Sequence, residues 1–258
     1  MNPKHLITIL VSLFILNACS NDDDSNKVRI SLLKTVEVTY PASSLSNYTL
    51  TVDYNNDNTI NTVVKTLADN STFRFACSYN DTKKLAAVGI ESPSGSSRTI
   101  EFQYTPQDIL FQIEEHIEGS INAFEINYNS LENNYSSLHR TWFFDDANNF
   151  EGYFFSSEAV HTFEYNNSKG IENFDIYIPI LIYETLNGLG FASDFNFISP
   201  NQNTNSAFEE LTPGGITVNY RNEQILNTQG LLGSTTTYVN DETSIFSIKT
   251  YTYETKFQ

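Results

Sequence analysis

Basic residues are scarce in this 258-residue sequence. Only 14 Lys and Arg residues stand against 31 Asp and Glu residues, which gives a net charge of −17 at pH 7. An acidic surface repels phosphate backbones and disfavours binding to anionic lipid headgroups. We therefore predict no nucleic-acid partner.

Motifs of the common enzyme classes are also missing. The sequence contains no Gly-x-Ser-x-Gly elbow, no His-Glu-x-x-His pair and no phosphate-binding glycine loop. His116, His139 and His161 lack the spacing of metal ligands. Asp145-Asp146, close to Asn148-Asn149, resembles a calcium loop in composition but not in spacing. The sequence predicts no catalytic residue, no metal and no cofactor.

One acidic cluster surrounds a histidine: Glu114, Glu115, His116 and Glu118. Glu114 and His116 could share a cation if both side chains lie on one face of a strand. A solvated strand end is the interpretation that we favour. A glycan-acting hydrolase with a carboxylate pair stays open as the alternative function, because the spacing of carboxylates in the fold is not visible in a sequence.

Long apolar runs are absent, and the apolar run from Leu6 to Leu16 has eleven residues. As a helix it would be about 16 Å long, against roughly 30 Å of hydrocarbon in a bilayer. It follows the basic start at Lys4 and ends at Leu16-Asn17-Ala18-Cys19, so it is typical of a secretory signal. The Leu-x-Ala-Cys ending resembles the bacterial lipobox. That resemblance implies cleavage before Cys19 and lipid attachment to its sulfur.

Acidic residues follow the predicted cleavage site as Ser20, Asn21, Asp22, Asp23 and Asp24. This run resembles the acidic tether of Bacteroidetes-type lipoproteins, which implies export to the outer face of the outer membrane; a plain solvated linker is the alternative. We assign residues 1–18 to the signal peptide, 19–29 to the tether and 30–258 to a single β-hairpin-repeat domain. Without residues 1–18 the chain has 13 basic and 31 acidic residues and a net charge of −18.

Cys77 is then the one cysteine that carries no lipid, so no internal disulfide can form. It alternates with Phe73, Phe75 and Tyr79, which favours a small buried residue over a nucleophile. The aromatic-dense segments around Trp142 and Phe150–Phe155 could stack on sugars, but core packing is the interpretation that we favour.

Aromatic and β-branched residues are abundant, with 19 Phe and 15 Tyr, and they favour strands. Alternating strands end at Tyr54, Tyr79, Tyr104 and Tyr128, at intervals of 25, 25 and 24 residues, and further copies end at Tyr165 and Tyr220. Polar turns such as Asn55–Asn58 and Asn80–Lys83 follow the tyrosine, and strands such as Ile60–Leu67 return. Each copy therefore predicts a β-hairpin, with the tyrosines on one common face.

Successive hairpins predict an all-β antiparallel meander of roughly ten to twelve strands. Polar residues opposite the tyrosines, such as Asp53, Arg74 and Glu101, favour a water-soluble barrel or strongly curled sheet over a membrane-spanning barrel. The apolar segment before Gly188 predicts one short helix around 178–187, with Pro179 in its first turn. Residues 192–215 predict a long loop.

Two resemblances accompany the hairpins. Tyr79-Asn80-Asp81-Thr82-Lys83-Lys84-Leu85 resembles the tyrosine–aspartate hairpin repeat of large bacterial shell proteins. The lipobox, the tether and the Tyr-Asn hairpins together resemble the uncharacterised Bacteroidetes lipoproteins with a porin-like barrel. This resemblance implies the fold and brings no activity with it.

We therefore predict a lipid-anchored, surface-exposed outer-membrane lipoprotein that acts as a non-catalytic binding or envelope protein. Its predicted partners are the outer membrane, through the Cys19 lipid, and a glycan or another envelope component.

Overall fold

The computed structural model describes residues 29–42, 45–138, 140–155, 159–170, 174–187, 201–240 and 243–257. The chain divides into two compact units. The larger runs from Leu33 to Tyr253, and the smaller comprises residues 1–32 and 254–258. In the smaller unit, Arg29 Nη2 donates to Thr255 Oγ1 at 3.4 Å.

Seventeen strands and one helix lie in the described part of the chain. The elements are β1 (Arg29–Thr39), β2 (Tyr48–Tyr54), β3 (Ile60–Leu67), β4 (Thr72–Tyr79), β5 (Leu85–Glu91), β6 (Ser97–Tyr104), β7 (Leu110–Ile117), β8 (Ser120–Glu125), β9 (Asn127–Asn129), β10 (Asn134–Ser137), β11 (Arg140–Phe144), β12 (Phe150–Phe155), β13 (Ala159–Lys169), α1 (Phe174–Asn187), β14 (Asn201–Glu210), β15 (Thr217–Leu226), β16 (Leu232–Val239) and β17 (Ile245–Phe257).

Within the larger unit the strands form a nearly closed antiparallel barrel, which confirms the predicted all-β fold class. Strands that follow one another in sequence pair with one another, as β2 does with β3 and β15 does with β16. The first and last strands also pair. The hydroxyls of Thr35 and Thr252 share a hydrogen bond of 2.6 Å between them.

One part of the barrel interior is packed with apolar side chains. The register places Val52 opposite Val63, Val63 opposite Phe75, and Phe75 opposite Ile90, and all four side chains are buried. The alternate residue Asp53 is exposed. This is the period of two that a strand imposes when only one of its faces is buried.

The helix α1 supplies further core. Its buried residues are Tyr177, Ile180, Leu181, Ile182 and Tyr183, and Pro179 is buried among them. The predicted bounds of 178–187 are wrong at the start, since α1 begins at Phe174 and Pro179 lies inside it. An internal proline removes one backbone hydrogen bond. Burial of an apolar segment outweighs that loss, because tertiary context overrides local propensity.

The predicted number of strands is wrong, and so is the part of the predicted loop at 192–215 that covers residues 201–210. Residues 192–200 lie outside the described residues, and residues 211–215 contain no strand. The loop prediction fails at β14, where Asn201–Glu210 forms ten residues of strand between β13 and β15. This segment is rich in Asn, which is depleted in strands in general. Its side chains bond to neighbouring strands, as when Asn205 Nδ2 donates to Glu164 Oε2 at 2.7 Å. Those bonds replace the apolar packing that usually identifies a strand.

Several hairpin turns share one geometry. Asn55 N donates to Thr59 O at 2.8 Å, and Asn58 N donates back to Asn55 O at 3.0 Å. Asn58 has a φ of 68°, a left-handed conformation that asparagine adopts more readily than most residues. The same pair of bonds occurs in the turn that begins at Asn80. These are the positions where the sequence predicts turns.

Among the residues that the structure describes, no helix has the length and apolar character needed to cross a lipid bilayer.

Candidate functional site

A second part of the barrel interior is polar and partly hollow. On β15 and β16 the register places Asn222 opposite Thr237, and on β17 it places Ser247 opposite Thr237 and Lys249 opposite Thr235. Paired residues of antiparallel strands lie on the same face. A continuous band of polar side chains therefore crosses the inner wall of these strands.

This band lines a cavity of about 230 Å³, which we call the inner cavity. Its amide and hydroxyl groups come from Asn201, Gln202, Asn203, Ser206, Asn222, Gln224, Thr235, Thr237 and Ser247. Its aromatic residues are Tyr40, Phe163, Tyr220, Phe246 and Tyr251. No Asp or Glu occurs among the described residues of this lining. The inner cavity thus lacks the charge that dominates the rest of the molecule.

A hydrogen-bond network links three strands in the wall of the inner cavity. Thr237 Oγ1 donates to Asn222 Oδ1 at 2.7 Å. Asn222 Nδ2 donates to Asn203 Oδ1, and Gln224 Nε2 donates to the backbone oxygen of Asn203. The network fixes the rotamers of the amides, so their remaining donors and acceptors have defined directions.

His161 lines the inner cavity as a neutral ring. Its ring centroid lies 4.3 Å from that of Phe163, and Tyr153 and Phe208 pack against it edge-on. Burial lowers the pKa of His161 from 6.5 to about 4, since the protonated ring would lose its hydration. Its Nε2 is buried without a hydrogen-bond partner among the described residues.

Tyrosines contribute uncharged hydroxyls to the inner cavity. Burial raises the pKa of Tyr251 to about 12, and its hydroxyl donates to Thr235 Oγ1 at 3.3 Å. Burial also raises the pKa of Tyr220. The ring of Phe246 lies 5.5 Å from that of Tyr220 and 5.6 Å from that of Tyr40. These three rings form an apolar surface beside the polar band.

The outer face of the same strands carries a groove of about 380 Å³. Arg221 Cζ lies 4.4 Å from the centroid of the Tyr238 ring, and Arg221 Nη1 contacts Glu223 Oε1 at 2.6 Å. Glu164 also lines this groove. The wall formed by β13 to β16 therefore has polar groups on both faces, and charged ones outside.

The structure brings Glu114 and His116 together on the outer face of β7. His116 Nε2 lies 3.6 Å from Glu114 Oε2 and 3.7 Å from Glu101 Oε1 on β6. Gln112 Nε2 donates to Glu114 Oε1 at 2.6 Å. About half of the Glu101 side chain is exposed. The candidate ligand atoms of Glu101, Glu114 and His116 all lie within 4.8 Å of one another, and His116 Nε2 is buried without a hydrogen-bond partner among the described residues. The cluster therefore has the geometry with which three side chains could share a cation, and the shared cation stays a prediction.

Glu115 points the opposite way, into the barrel, and the sequence does not predict its role. Its side chain is 5% exposed and contacts Arg98 Nη1 at 3.2 Å. Tyr183 on α1 donates its hydroxyl hydrogen to Glu115 Oε1 at 2.5 Å, and Asn122 Nδ2 lies 3.4 Å from Oε2. This carboxylate joins the helix to the wall of the barrel. Successive side chains of a strand point to opposite faces, so Glu115 points inward because the adjacent His116 faces outward.

The carboxylate of Asp145 is used within its own turn. Its Oδ1 accepts hydrogen bonds from the backbone N of Ala147 and of Asn149, both at 2.8 Å. Its Oδ2 accepts from Asn149 Nδ2 at 2.8 Å. The calcium-like composition at this position thus belongs to a capped hairpin turn.

Trp142 belongs to the packed core, and Cys77 is partly buried against the same core. Trp142 is fully buried, and its Nε1 donates to Thr185 Oγ1 on α1 at 2.6 Å. Burial raises the pKa of Cys77 to about 12, so its thiol carries no negative charge near neutrality. Trp142 therefore offers no surface to a sugar.

Three of the predicted tyrosines lie at equivalent places. Tyr54, Tyr79 and Tyr104 end β2, β4 and β6. Each hydroxyl donates to a backbone oxygen of the preceding strand: Tyr54 to Leu33 O at 2.8 Å, Tyr79 to Ile60 O at 2.9 Å and Tyr104 to Leu85 O at 2.9 Å. Each bond links the end of a strand to the strand that precedes it in the sequence.

The remaining predicted tyrosines differ in their hydrogen bonds and in their positions within the strands. Tyr165 donates in the same way to Phe150 O at 3.0 Å, although β13 continues beyond it. Tyr128 instead donates to Asn133 Oδ1 at 3.0 Å. The turn predicted after Tyr220 is wrong, because β15 continues to Leu226. Its neighbours across the sheet pair with it on both sides, so no turn interrupts the strand.

Tyr253 makes the same kind of bond as Tyr54, to Leu232 O at 2.9 Å, although the sequence pattern predicts no copy of the repeat there. The polar turn that marks the earlier copies does not follow Tyr253, which lies within β17. The predicted lipidation and export residues, Cys19 and Ser20 to Asp24, lie outside the described residues.

Neither a known protein family nor a curated protein matches the chain. Among solved structures, the chain is similar to a porin-like protein from Bacteroides uniformis, with 14% identity over 86% of this chain and 98% of that chain and a TM-score of 0.41. It is also similar to a porin-like protein from Bacteroides vulgatus, with 10% identity over 87% and 99% of the two chains and a TM-score of 0.44. Identity this low assigns no activity to the chain.

Proposed function

We propose that this chain is a lipid-anchored outer-membrane protein that faces the cell exterior and binds a small polar molecule in the inner cavity, without catalysis. The composition of the inner cavity carries this proposal. Binding sites are concave and combine apolar surface with a few well-placed polar groups. The amide network around Asn222 and the rings around Phe246 have this composition.

The anchor rests on the sequence. The apolar run before Cys19 is too short to span a bilayer, so a lipid on Cys19 would hold the protein to the membrane. Exposed charged residues on the outer faces of the strands support a barrel that stands in water. Asp53, Arg74, Glu101 and Glu125 are all exposed. A band of hydrocarbon around the barrel would require apolar residues there.

Glycan hydrolysis is the second candidate function. It requires two carboxyl groups about 5 to 10 Å apart, on either side of the scissile bond. The described lining of the inner cavity contains no carboxylate, whereas Glu164 lines the outer groove. Glu164 is the one carboxylate among the described residues of the outer groove, so neither lining shows the pair that hydrolysis requires, and binding without catalysis fits the inner cavity better.

A binding and turnover assay tests the proposal. The full-length lipidated protein in detergent is titrated by calorimetry against a library of small polar metabolites, and a panel of glycosidase substrates is assayed in parallel. We expect saturable binding of at least one library member and no turnover. Turnover that disappears in Glu164→Gln would contradict the proposal and favour the hydrolase.

A matched pair of variants locates the site. Thr237→Val removes the hydroxyl that donates to Asn222, and Thr236→Val makes the same change on the opposite face of β16. One hydrogen bond contributes about 1 kcal/mol, so we expect roughly fivefold weaker binding in Thr237→Val and unchanged binding in Thr236→Val. Equal binding by both variants would place the ligand elsewhere.

A further inference from the structure

We infer that the ligand of the inner cavity is a neutral, hydroxyl-rich molecule of about the size of one sugar ring. This inference rests on the proposed function and adds the chemical class of the ligand. Three properties of the inner cavity support it: its charge, its hydrogen-bonding groups and its size.

The charge of the lining disfavours cationic ligands. No Asp or Glu occurs among its described residues, so a ligand ammonium group would lose water and gain no anionic partner. Lys249 and His161 are the basic groups of the lining. Lys249 already has an interaction partner, and His161 is buried as a neutral ring. An anion would therefore meet no cluster of cationic donors of the kind that recognises carboxylates and phosphates.

The hydrogen-bonding groups suit hydroxyls. An alcohol group both donates and accepts, and so do the amides and hydroxyls of the lining. Asn222 and Gln224 lie two residues apart on one face of β15, and Thr237 and Ser247 lie on the two strands beyond it. Several adjacent hydroxyls on one molecule could bond to this row at once. The row keeps its internal hydrogen bonds, and a ligand with several hydroxyls can use more of the donors and acceptors that these bonds leave over than a ligand with a single polar group can.

Size and apolar surface narrow the class further. A volume of about 230 Å³ lies below the roughly 300 to 1,000 Å³ typical of sites for drug-sized ligands. The rings of Tyr40, Tyr220 and Phe246 provide an apolar face next to the polar row. A sugar ring combines C–H faces with a rim of hydroxyls, so it matches both surfaces.

Three sugars that differ in one group test the inference. Glucose is neutral, glucuronate carries a carboxylate and glucosamine carries an ammonium group. Each is titrated calorimetrically into the full-length protein, together with galactose and N-acetylglucosamine as further neutral sugars. We expect at least one neutral sugar to bind saturably, glucosamine to bind at least tenfold more weakly than glucose, and glucuronate to bind no more tightly.

Four variants distinguish an error in the ligand class from an error in the location of the binding site. Thr237→Val and Ser247→Ala should weaken the binding of the neutral sugar about fivefold, whereas Thr236→Val and Ser234→Ala, on the opposite face, should not. Circular dichroism and thermal melting show that each variant is folded. Binding of glucuronate or glucosamine tenfold tighter than any neutral sugar would overturn the neutral class.

Failure of all sugars, with Thr237-dependent binding of another library member, would overturn the sugar inference and leave the proposed function in place. Sugar binding that none of the four variants changes would overturn the inner cavity as the site, and with it both proposals.

Discussion

At the scale of single residues, the stability of the barrel is most sensitive to the substitution of buried polar groups. Glu115 contacts Arg98, Tyr183 and Asn122, and its own side chain is nearly inaccessible. Charges inside a protein are tolerated when partners replace the lost water, and removing one partner leaves the other without compensation. The contacts of Glu115 join two strands and the helix, so its loss affects all three.

We expect Glu115→Ala to lower the free energy of unfolding by about 3 kcal/mol, because Arg98 loses its buried partner. Chemical denaturation measures this change. Glu101→Gln is the control, since that side chain is half exposed on the outer face, and it should change stability by no more than about 0.5 kcal/mol. Similar small losses in both variants would show that Glu115 does not join the helix to the wall.

His161 gives stability a pH dependence. Burial lowers its pKa from 6.5 to about 4, so between these values the unfolded chain binds a proton that the folded chain does not. The contribution of the neutral ring to the free energy of unfolding is complete above pH 6.5 and is lost as the pH falls towards 4. The size of the effect is roughly 3 kcal/mol at most.

The test compares wild type with His161→Phe, which keeps a ring beside Phe163. Denaturation curves at several pH values between 4 and 7 give the difference in unfolding free energy. We expect this difference to favour the variant increasingly as the pH falls below 6.5. A difference that stays constant over this range would contradict the buried neutral histidine.

At the scale of elements, the hairpins of the first half are readable from the sequence, because apolar alternation and polar turns agree there. The strand end at Tyr79, the turn at Asn80 and the return at Leu85 all coincide with the pattern. β14 lacks an apolar face, and its order comes from side-chain bonds to neighbouring strands that only the register reveals.

The polar row of the inner cavity is hidden from the sequence for the same reason. Asn222 and Gln224 alternate with Arg221 and Glu223, so both faces of β15 carry polar residues. The sequence pattern therefore does not indicate which face points into the barrel. Only the pairing with β14 and β16 shows which set points inward. The sequence also predicts the start of α1 four residues late, at 178 instead of Phe174, because proline is typical of the first turn of a helix.

The bonds from tyrosine hydroxyls to the preceding strand should stabilise the hairpins. Tyr79→Phe removes one bond to a backbone oxygen, so we expect a loss of about 1 kcal/mol. Tyr79→Ala also removes a partly buried ring and should cost about 3 kcal/mol, the lower end of the range for a core aromatic. Tyr238→Phe is the control, because that hydroxyl bonds to an exposed glutamate. A Tyr79→Phe variant as stable as wild type would assign the whole effect to the ring.

At the scale of the whole molecule, the predicted lipid on Cys19 would hold the barrel to the membrane. Cys19→Ser removes the sulfur that would receive the lipid, so labelling with a radioactive fatty acid should be lost and the protein should leave the membrane fraction. Cys77→Ser is the control and should keep its label. A label that persists in Cys19→Ser would contradict the lipobox interpretation.

Within the larger unit the interior has an apolar packed part and a polar hollow part, and ligand binding is assigned to the second. The packed part includes Leu50, Val52 and Val63, and the hollow part is lined from β13 to β17. A ligand in the inner cavity would contact the strands of the hollow part and leave the packed strands unchanged. Backbone hydrogen exchange can distinguish the two parts in one experiment.

Hydrogen–deuterium exchange followed by mass spectrometry, with and without a saturating mixture of glucose, galactose and N-acetylglucosamine, tests this assignment most directly. We predict slower exchange in peptides from β14, β15, β16 and β17 and no change in peptides from β2 to β6. The slower exchange should be reduced in Thr237→Val and retained in Thr236→Val. Unchanged exchange throughout the chain, or protection confined to β2 to β6, would contradict binding in the inner cavity.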